Sequence, residues 1–572
     1  MHSIREIENC FAEISKAENL EWVDSIPSVP KHYAKCWKLI TEILRDNHVE
    51  EIELMIGFQD NFPYILPDIY FFDDKYDYIP HIDHKTRKLC YVEDGVTYDV
   101  THIVDVLRDC IKKAKRLIEN GVNKTNYQDF VSEINSYWFE QYDKEQIPLF
   151  NIVLYGSFPN ESCLLDLYSY TEKMTLATSM ARNVLINQEQ DDDFSNYIKQ
   201  KHDVSKNSAL YLKSVVINHH PPYSLSFKQL VGNVQDDNDL RLLRSQLNKN
   251  RSLILFFKLL DSERFGGVII QKQPSKRKGF RNRITAFDEL FKFEKQNLPL
   301  QRTIGELYSA EIKKKRDGNM ATNTQRFTII GVGSIGSNLC YYLMGYSGSS
   351  FILVDNDVMR TENTGRHLLG FRFIGQAKSI AVQEYIKDKS PETSVLAYRE
   401  NILNSFEERL PQINQSTALF LCAGDSMVEE FIIENVMAGR ISVPIFIMWL
   451  EPFSIAGHLV YVNPEKKDKP ICLNVGKLRL YKHNLIQPDM YEKRSDEFVK
   501  RDAGCNGSFA LYNQNNVTLF LSSIFPIVDQ LIENPGESKC YRWVGNINIA
   551  NKMGLSLTDP SVKKGEITEL SI

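Results

Sequence analysis

The sequence predicts an α/β multidomain protein: an α+β domain over residues 1–145, a connecting mixed domain over 146–310 and an α/β domain over 311–572. Three observations carry this reading. The chain has 572 residues, enough for about three or four domains that each bury a core. Its first part runs helix, strands, loop, helices, which is an α+β order. Residues 326–378 run strand, glycine turn, helix, strand and polar loop, a Rossmann-like order in which backbone amides at a helix N-terminus can meet a phosphate.

Composition narrows the function classes. Hydrophobic residues at 43% and charged residues at 25% are ordinary for a globular protein. Lys+Arg 68 against Asp+Glu 74 leaves a net charge of −6, so no global basic field recruits nucleic acid or membrane. The N-terminal residues alternate charged and apolar without a signal-peptide core, and no window of about 18 apolar residues offers a membrane span. The expectation is a soluble cytoplasmic protein. Its 10 cysteines are scattered, with no C-x-x-C pair, which argues against a disulfide framework and against structural zinc.

In the first domain an initial helix precedes apolar strands at 49–58 and 68–73, and helices are expected at 100–119 and 128–142. Between them Pro63 and Pro67 bracket an expected extended segment, and Pro80 and His81 stand shortly before Cys90. The polar neighbours His81, Asp83, His84, Lys85, Arg87, Lys88 and Glu93 argue that Cys90 is exposed, and the nearby cations favour its thiolate. This layout resembles ubiquitin-conjugating enzymes, in which a proline-rich connection precedes an H-P-N tripeptide and then the catalytic cysteine. Cys90 takes the cysteine position. The tripeptide reads P-H-I here, with Ile82 where the family has its oxyanion-stabilising Asn. Proton handling and oxyanion stabilisation are left to His81, Asp83, His84 or backbone amides.

The middle carries alternating apolar runs separated by charged loops, as in a β-rich or α/β connecting domain. Asp191, Asp192 and Asp193 read as a solvated loop. His219 and His220 read as part of a proline turn, and the run Lys276, Arg277, Lys278, Arg281 and Arg283 as solvated surface.

The C-terminal part holds most of the chemistry. Gly331, Gly333 and Gly336 form GxGxxG between an apolar strand and a helix, and Asp355 ends the next strand, where an acid can bind ribose hydroxyls. A dinucleotide dehydrogenase could stop there. This chain continues with Asn363, Arg366 and Lys378, then places Asp425 just past another apolar strand. Arg and Lys can neutralise charge developing on phosphates, and a carboxylate can hold Mg²⁺ with water and phosphate completing its shell. These groups suit a triphosphate, so ATP and Mg²⁺ are the expected cofactors. The arrangement resembles the adenylation domain of ubiquitin-activating enzymes and their ThiF and MoeB relatives. The resemblance implies that Asp355 binds ribose, that Asn363, Arg366 and Lys378 contact phosphates, and that Asp425 binds the metal. The family's N-L-N-R run reads N-T-G-R, so Gly365 departs from it.

Further on, an apolar run contains Trp449, Glu451 and His458, and Cys505 sits between Gly504 and Asn506. A glycine-flanked loop can bring a thiolate to an acyl-adenylate and withdraw it, so Cys505 is the expected activating thiol and Cys472 the runner-up. Cys340 and Cys422 are expected in the core.

A conjugating-like and an adenylating module in one chain resemble the fused activating-conjugating enzymes of bacterial antiphage CBASS operons, the CD-NTase-associated protein 2 family. That resemblance implies activation of the C-terminal carboxylate of a cGAS-like nucleotidyltransferase (CD-NTase), thioester transfer from Cys505 to Cys90, conjugation to a target amine, and a homodimer. The alternative is a sulfur-carrier adenylyltransferase of the ThiF or MoeB type that forms no amide conjugate.

Overall fold

The computed structural model describes residues 2–572 apart from 77, 84, 94, 140–151, 174–178, 188–191, 218–224, 250–251, 260–263, 272–286, 288–299, 318–323, 347, 467–470, 472, 476–479 and 502–507. It forms two compact units, Met1–Tyr308 and Ser309–Ile572.

In the first unit, strands β1 (Asn19–Val23), β2 (Lys35–Arg45), β3 (His48–Phe58) and β4 (Asp68–Tyr70) form an antiparallel sheet in sequence order. Antiparallel neighbours need only short turns, so each strand pairs with the next. Helices α1 (His2–Ile14) and α2 (Ile103–Val122) bury one apolar face each against the sheet, through Ile7 and Cys10 from α1 and Leu107, Ala114 and Ile118 from α2. The start of the segment between Pro63 and Pro67, expected to be extended, is a turn: the N–H groups of Tyr64 and Ile65 donate to Asn61 O at 2.9 and 3.3 Å. Asn and Pro both favour such turns.

The middle of this unit is a closed barrel of β5 (Ile152–Tyr155), β6 (Cys163–Lys173), β7 (Ser179–Ile186), β8 (Ser205–Tyr211), β9 (Ser252–Lys258), β10 (Arg264–Gln271) and β11 (Gln301–Tyr308), in the order β10-β11-β5-β7-β6-β8-β9. Side chains from around the ring, among them Leu154, Leu167, Leu185, Tyr211, Phe256 and Phe265, share one buried cluster and fill its interior. The alternate residues Leu210, Leu255, Phe257 and Val268 meet a second cluster that includes helical Phe227, Leu243 and Leu247. Asp192, expected in a loop, starts the helix Asp192–Lys201; acidic residues are favoured at helix N-termini. The two adjacent histidines and the basic run at 276–283 lie outside the described residues.

The second unit has a sheet in the order β14-β13-β12-β15-β16-β17-β18-β19, with β12 (Arg326–Ile330), β13 (Ser350–Val354), β14 (Val395–Tyr398), β15 (Ala418–Leu421), β16 (Ile445–Leu450), β17 (Ala456–Val462), β18 (Lys539–Val544) and β19 (Ile567–Leu570). The first five are parallel and the last three antiparallel. Successive residues of β13 face opposite layers: Phe351 and Leu353 join the core with α3 (Ser334–Leu343) and α7 (Gln514–Glu533), Ile352 and Val354 the core with α5 (Ile402–Ile413) and α6 (Ser426–Met437). Helix α4 (Lys378–Lys389) joins the first of these layers. The chain runs outward from β12 to β14 and returns at β15, so the crevice beyond the C-terminal ends of β12 and β15 is the topological switch point where such sheets bind ligands. Among the described residues no helix is long and apolar enough to cross a membrane.

Phe420 in β15 is fully buried between the rings of Phe327 and Phe446, at centroid distances of 5.8 and 4.9 Å. Phe420→Ala should destabilise the second unit by about 3–5 kcal/mol, read by denaturant unfolding; a loss under about 1 kcal/mol would mean that this core repacks freely.

Candidate functional site

The crevice of the second unit is built on two glycines. Gly331 directly follows β12 with φ +83°, and a Cβ there would stand 2.6 Å from the backbone of Ala423. Only glycine fits both demands. A Cβ on Gly336 would stand 2.0 Å from Gly331 O, so that glycine lets α3 sit directly on the turn. Gly333 is the N-cap of α3, gives no side-chain cap and has open space at its Cα. The first N–H groups of the helix therefore face the crevice uncovered.

Asp355 closes the turn from β13. Its Oδ2 accepts the Val332 N–H and its Oδ1 the Asp357 N–H, both at 2.8 Å. Burial pushes its carboxyl up, against the pull of the Asp357 N–H and the Lys378 ammonium. Asp357 in turn pairs with Lys378 Nζ, which is buried at the first residue of α4. Burial raises the Asp357 carboxyl as well, but the Lys378 hydrogen bond and the Val358 N–H outweigh it and the net shift is downward.

Asn363 shapes the polar loop. Its side-chain oxygen accepts the Arg360 N–H at 2.9 Å, and its carbonyl accepts the N–H groups of Arg366 and His367. The Arg366 guanidinium lies 5.5 Å from the centre of the Tyr512 ring, whose hydroxyl is 2.8 Å from Ser334 Oγ. Gly365, the departure from the family run, takes the Gln514 N–H on its carbonyl at 3.0 Å. Asp425 is exposed at the N-cap of α6, where Oδ1 accepts the Met427 N–H at 2.9 Å.

One cavity of about 1190 Å³ brings Gly333, Asp355, Asn363, Arg366, Lys378 and Asp425 together. Gly336 stands behind it as packing. Cys340 and Cys422 are buried, with thiols pushed up by burial. Cys505 and Cys472 lie outside the described residues, as does His84.

Three features of this cavity had weak sequence signals. His367 follows the loop arginine directly and is 4% exposed. Its Nε2–H donates to Val332 O at 2.8 Å and its Nδ1 accepts the Leu369 N–H at 3.1 Å. Burial pushes its pKa down to about 4, so the ring is neutral and acts as a brace. Glu451, noted only as part of an apolar run, is 2% exposed. It accepts the Leu485 and Ile486 N–H groups at 2.6 and 2.9 Å and faces His458 Nε2 at 2.7 Å. Glu429 lies four positions after Asp425 on α6, the spacing that puts two side chains on one helix face. It lines the cavity, and burial, then Asp425 and Glu430, raise its pKa to about 8.

The first unit places Cys90 on an exposed edge. Residues 87–90 run between β4 and residues 81–83. Leu89 N–H donates to Ile69 O and Cys90 N–H to His81 O, both at 2.8 Å, while Asp83 N–H donates to Lys88 O at 2.9 Å. In this extended segment alternate residues face opposite ways: Leu89 is buried and Cys90 exposed. Ile82 is buried opposite Leu89 and offers no polar side chain. Asp83 turns its carboxylate onto its own loop, accepting the Lys85 and Thr86 N–H groups at 3.1 and 2.6 Å. Lys88 reaches the buried Asp68 at 2.6 Å, where Lys31 and Tyr33 also converge at 2.7 and 2.8 Å. Its ammonium still interacts electrostatically with the Cys90 thiol.

Two predictions follow from the crevice. Gly336→Ala should abolish binding of the nucleotide expected from the sequence, because the new methyl meets backbone rather than a yielding side chain; nucleotide affinity at the level of the parent in a titration would show that the turn shifts at no cost. Glu429 has a folded-state pKa above its unfolded value, so the folded chain holds a proton that the unfolded chain releases between about pH 4.5 and 8. Its contribution to stability is present below that window and lost as pH rises through it. Glu429→Gln should therefore flatten the fall in stability between about pH 5 and 8; parallel melting profiles for variant and parent across this range would count against a perturbed Glu429.

Comparison with known proteins finds two family matches along the chain. Residues 33–147 match the family described as Prokaryotic E2 family B, and residues 308–477 match the ThiF family. The chain is 28% identical over 126 residues to "Adenylyltransferase and sulfurtransferase uba4" of Aspergillus niger, covering 22% of this chain and 26% of that protein. It is 28% identical over 105 residues to "ATP-dependent ubiquitin transferase-like protein Cap2" of Enterobacter hormaechei subsp. hoffmannii, covering 18% of each. The chain thus spans about a quarter of the first relative and less of the second. Among solved structures it is similar to Escherichia coli MccB, with TM-score 0.31 and 16% identity over 43% of this chain and 62% of that one, and to PaaA, with TM-score 0.30 and 14% identity over 43% and 64%. Cys90 with its neighbours and the crevice residues from Gly331 to Glu451 fall inside the matched ranges, whereas Leu485, Ile486 and Tyr512 lie beyond them, and the chain is a fused protein that joins an E2-like domain of the Prokaryotic E2 family B to a ThiF-family domain.

Proposed function

We propose that this protein uses ATP to activate the C-terminal carboxylate of a partner protein, passes the acyl group through two cysteine thioesters and conjugates it to an amine. The observation that carries the reading is the single cavity in which the bare N-terminus of α3, Arg366, Lys378 and Asp425 converge. An N-terminus and two cations suit a triphosphate. Asp355 keeps lone pairs beyond the two it gives to N–H groups, which suits ribose hydroxyls, and Asn363 holds the loop that presents Arg366. Among the described residues no three His, Cys, Asp or Glu side chains gather to hold a metal, so Mg²⁺ here would take Asp425 together with water and phosphate oxygens, its usual habit. The cavity volume exceeds the roughly 300–1,000 Å³ of common small-molecule pockets, leaving room for a chain end beside the nucleotide.

In the proposed sequence the partner's carboxylate oxygen attacks the α-phosphorus of ATP and pyrophosphate leaves. The Cys505 thiolate attacks the acyl carbon and AMP leaves. The Cys90 thiolate then displaces Cys505, and a target amine displaces Cys90, losing a proton as the amide forms. By its resemblance to the fused CBASS enzymes, the activated partner is a CD-NTase, the setting is antiphage defence in the cytoplasm, and the adenylating domain forms a homodimer. The corresponding domain limits are 1–145, 146–310 and 311–572. A ThiF/MoeB-type sulfur-carrier adenylyltransferase is the second reading, favoured by the segment similar to uba4; the exposed Cys90 in an E2-like fold speaks for conjugation.

Asp425→Ala should abolish ATP–pyrophosphate exchange driven by the partner's C-terminal peptide while costing about 0.5–2 kcal/mol of stability through the lost N-cap; exchange at the parent rate would rule out Asp425 as the metal ligand. The cysteines should divide the pathway. Cys505→Ala should form adenylate but load neither thioester, and Cys90→Ala should hold a reducible adduct on Cys505 with no lysine-linked product. Conjugation by Cys90→Ala at the normal rate would reduce the E2-like domain to a binding module.

A further inference from the structure

His81 has φ +64°, a left-handed backbone that crowds its Cβ against the following carbonyl and that residues other than glycine keep only when their surroundings hold them there. The surroundings do so from three sides. The ring Nε2 lies 3.1 Å from Asp129 Oδ2, and Nδ1 lies 3.1 Å from Glu133 Oε1. The backbone N–H donates to the Tyr137 hydroxyl oxygen at 2.7 Å, and that hydroxyl donates to Glu133 Oε2 at 3.2 Å.

All three partners come from residues 129–137, outside the four-stranded sheet that carries Cys90. This segment is anchored on the barrel: Phe130, Ile134, Tyr137 and Trp138 are buried in the same cluster as Leu255, Phe257 and Val268, and Trp138 Nε1–H donates to Thr303 O at 3.0 Å. On its other side, the His81 carbonyl takes the Cys90 N–H at 2.8 Å. A line of contacts therefore runs from barrel to segment, from segment to His81 and from His81 to the backbone of Cys90.

We infer that His81 is a positioning residue for Cys90, clamped by Asp129, Glu133 and Tyr137, so that the barrel domain sets the orientation of the thiol. The inference rests on Cys90 being the conjugating thiol, yet the clamp is measurable without catalysis. Isolated, half-exposed ion pairs contribute little. Three contacts converging on a strained backbone differ, because removing them frees a peptide that gains by leaving its conformation.

The test is amide hydrogen exchange in the full chain, resolved to single residues around Cys90. In Asp129→Ala/Glu133→Ala and in His81→Ala, protection of the Cys90 N–H should fall by about tenfold, the worth of one intramolecular hydrogen bond. The Leu89 N–H, which donates to Ile69 O, should keep its protection. His81→Gly should retain most of the Cys90 protection, because glycine holds a positive φ without a clamp. Unchanged Cys90 protection in the double variant would overturn the inference, and so would an equal loss at Leu89, which would mean that the whole sheet edge had opened. Equal losses in His81→Gly and His81→Ala would overturn the role given to the strained backbone. Normal conjugation by Cys90→Ala would remove the catalytic role of Cys90 and leave these exchange rates as they are, which separates the two failures.

Discussion

The crevice of the second unit depends on one peptide backbone, that of Val332, being held at both its polar groups. Its N–H goes to the Asp355 carboxylate and its C=O to the neutral ring of His367. Val332 stands between Gly331, which lets β12 turn, and Gly333, from which α3 starts, so the direction of the helix and its uncovered N–H groups follow from this fixation. Burying a carboxylate is costly, and charge-assisted hydrogen bonds of about 1.5–3 kcal/mol each offset that cost. Asp355 spends its second oxygen on the Asp357 N–H, which starts the loop that seats Lys378. The cationic side of the cavity is thereby tied to its glycine-rich side through a single residue.

The Cys90 site follows a different logic. Its thiol is exposed while the backbone beneath it is satisfied on both edges, by Ile69 and by His81. Fixing the backbone leaves the thiol accessible without leaving it loose, which suits the proposed transfer between two large partners. The tripeptide that departs from the conjugating-enzyme pattern takes part in this arrangement. Ile82 gives up a polar side chain for burial against the core, and His81 becomes the point at which a distant segment grips the site. Charge is managed nearby in the same manner, with Asp68 collecting Lys31, Lys88 and a tyrosine hydroxyl while its burial is offset by those contacts.

Much of the C-terminal crevice was legible in the sequence because its parts are local. A glycine that must adopt a positive φ, an acid at a strand end and an acid before a helix are each set by a few neighbouring residues, and their order along an α/β chain places them at one sheet edge. His367 and Glu429 carried only adjacency to the loop arginine and a four-residue spacing from Asp425, and neither says which way a side chain points. In the first unit the exposure of Cys90 followed from its polar neighbours. The turn after Pro63 was missed because a proline pair suits extended and turning chain equally.

The sequence by itself determined the elements and the chemistry available to them: periodic apolar faces for strands and helices, the glycine turn, the cations and acids of the polar loop, and a cysteine set among charges. Tertiary structure alone decided which of these meet. The closure of the middle strands into a barrel, the stacking of Tyr512 under Arg366, the Glu451–His458 pair fed by Leu485 and Ile486, and the clamp on His81 by residues 48 and more positions away all join groups with no local signature. The physical reason is that a hydrogen bond or ion pair is chosen by proximity and burial. Both are set by how whole layers pack, whereas turns and helix caps are set by the few bonds on either side of them.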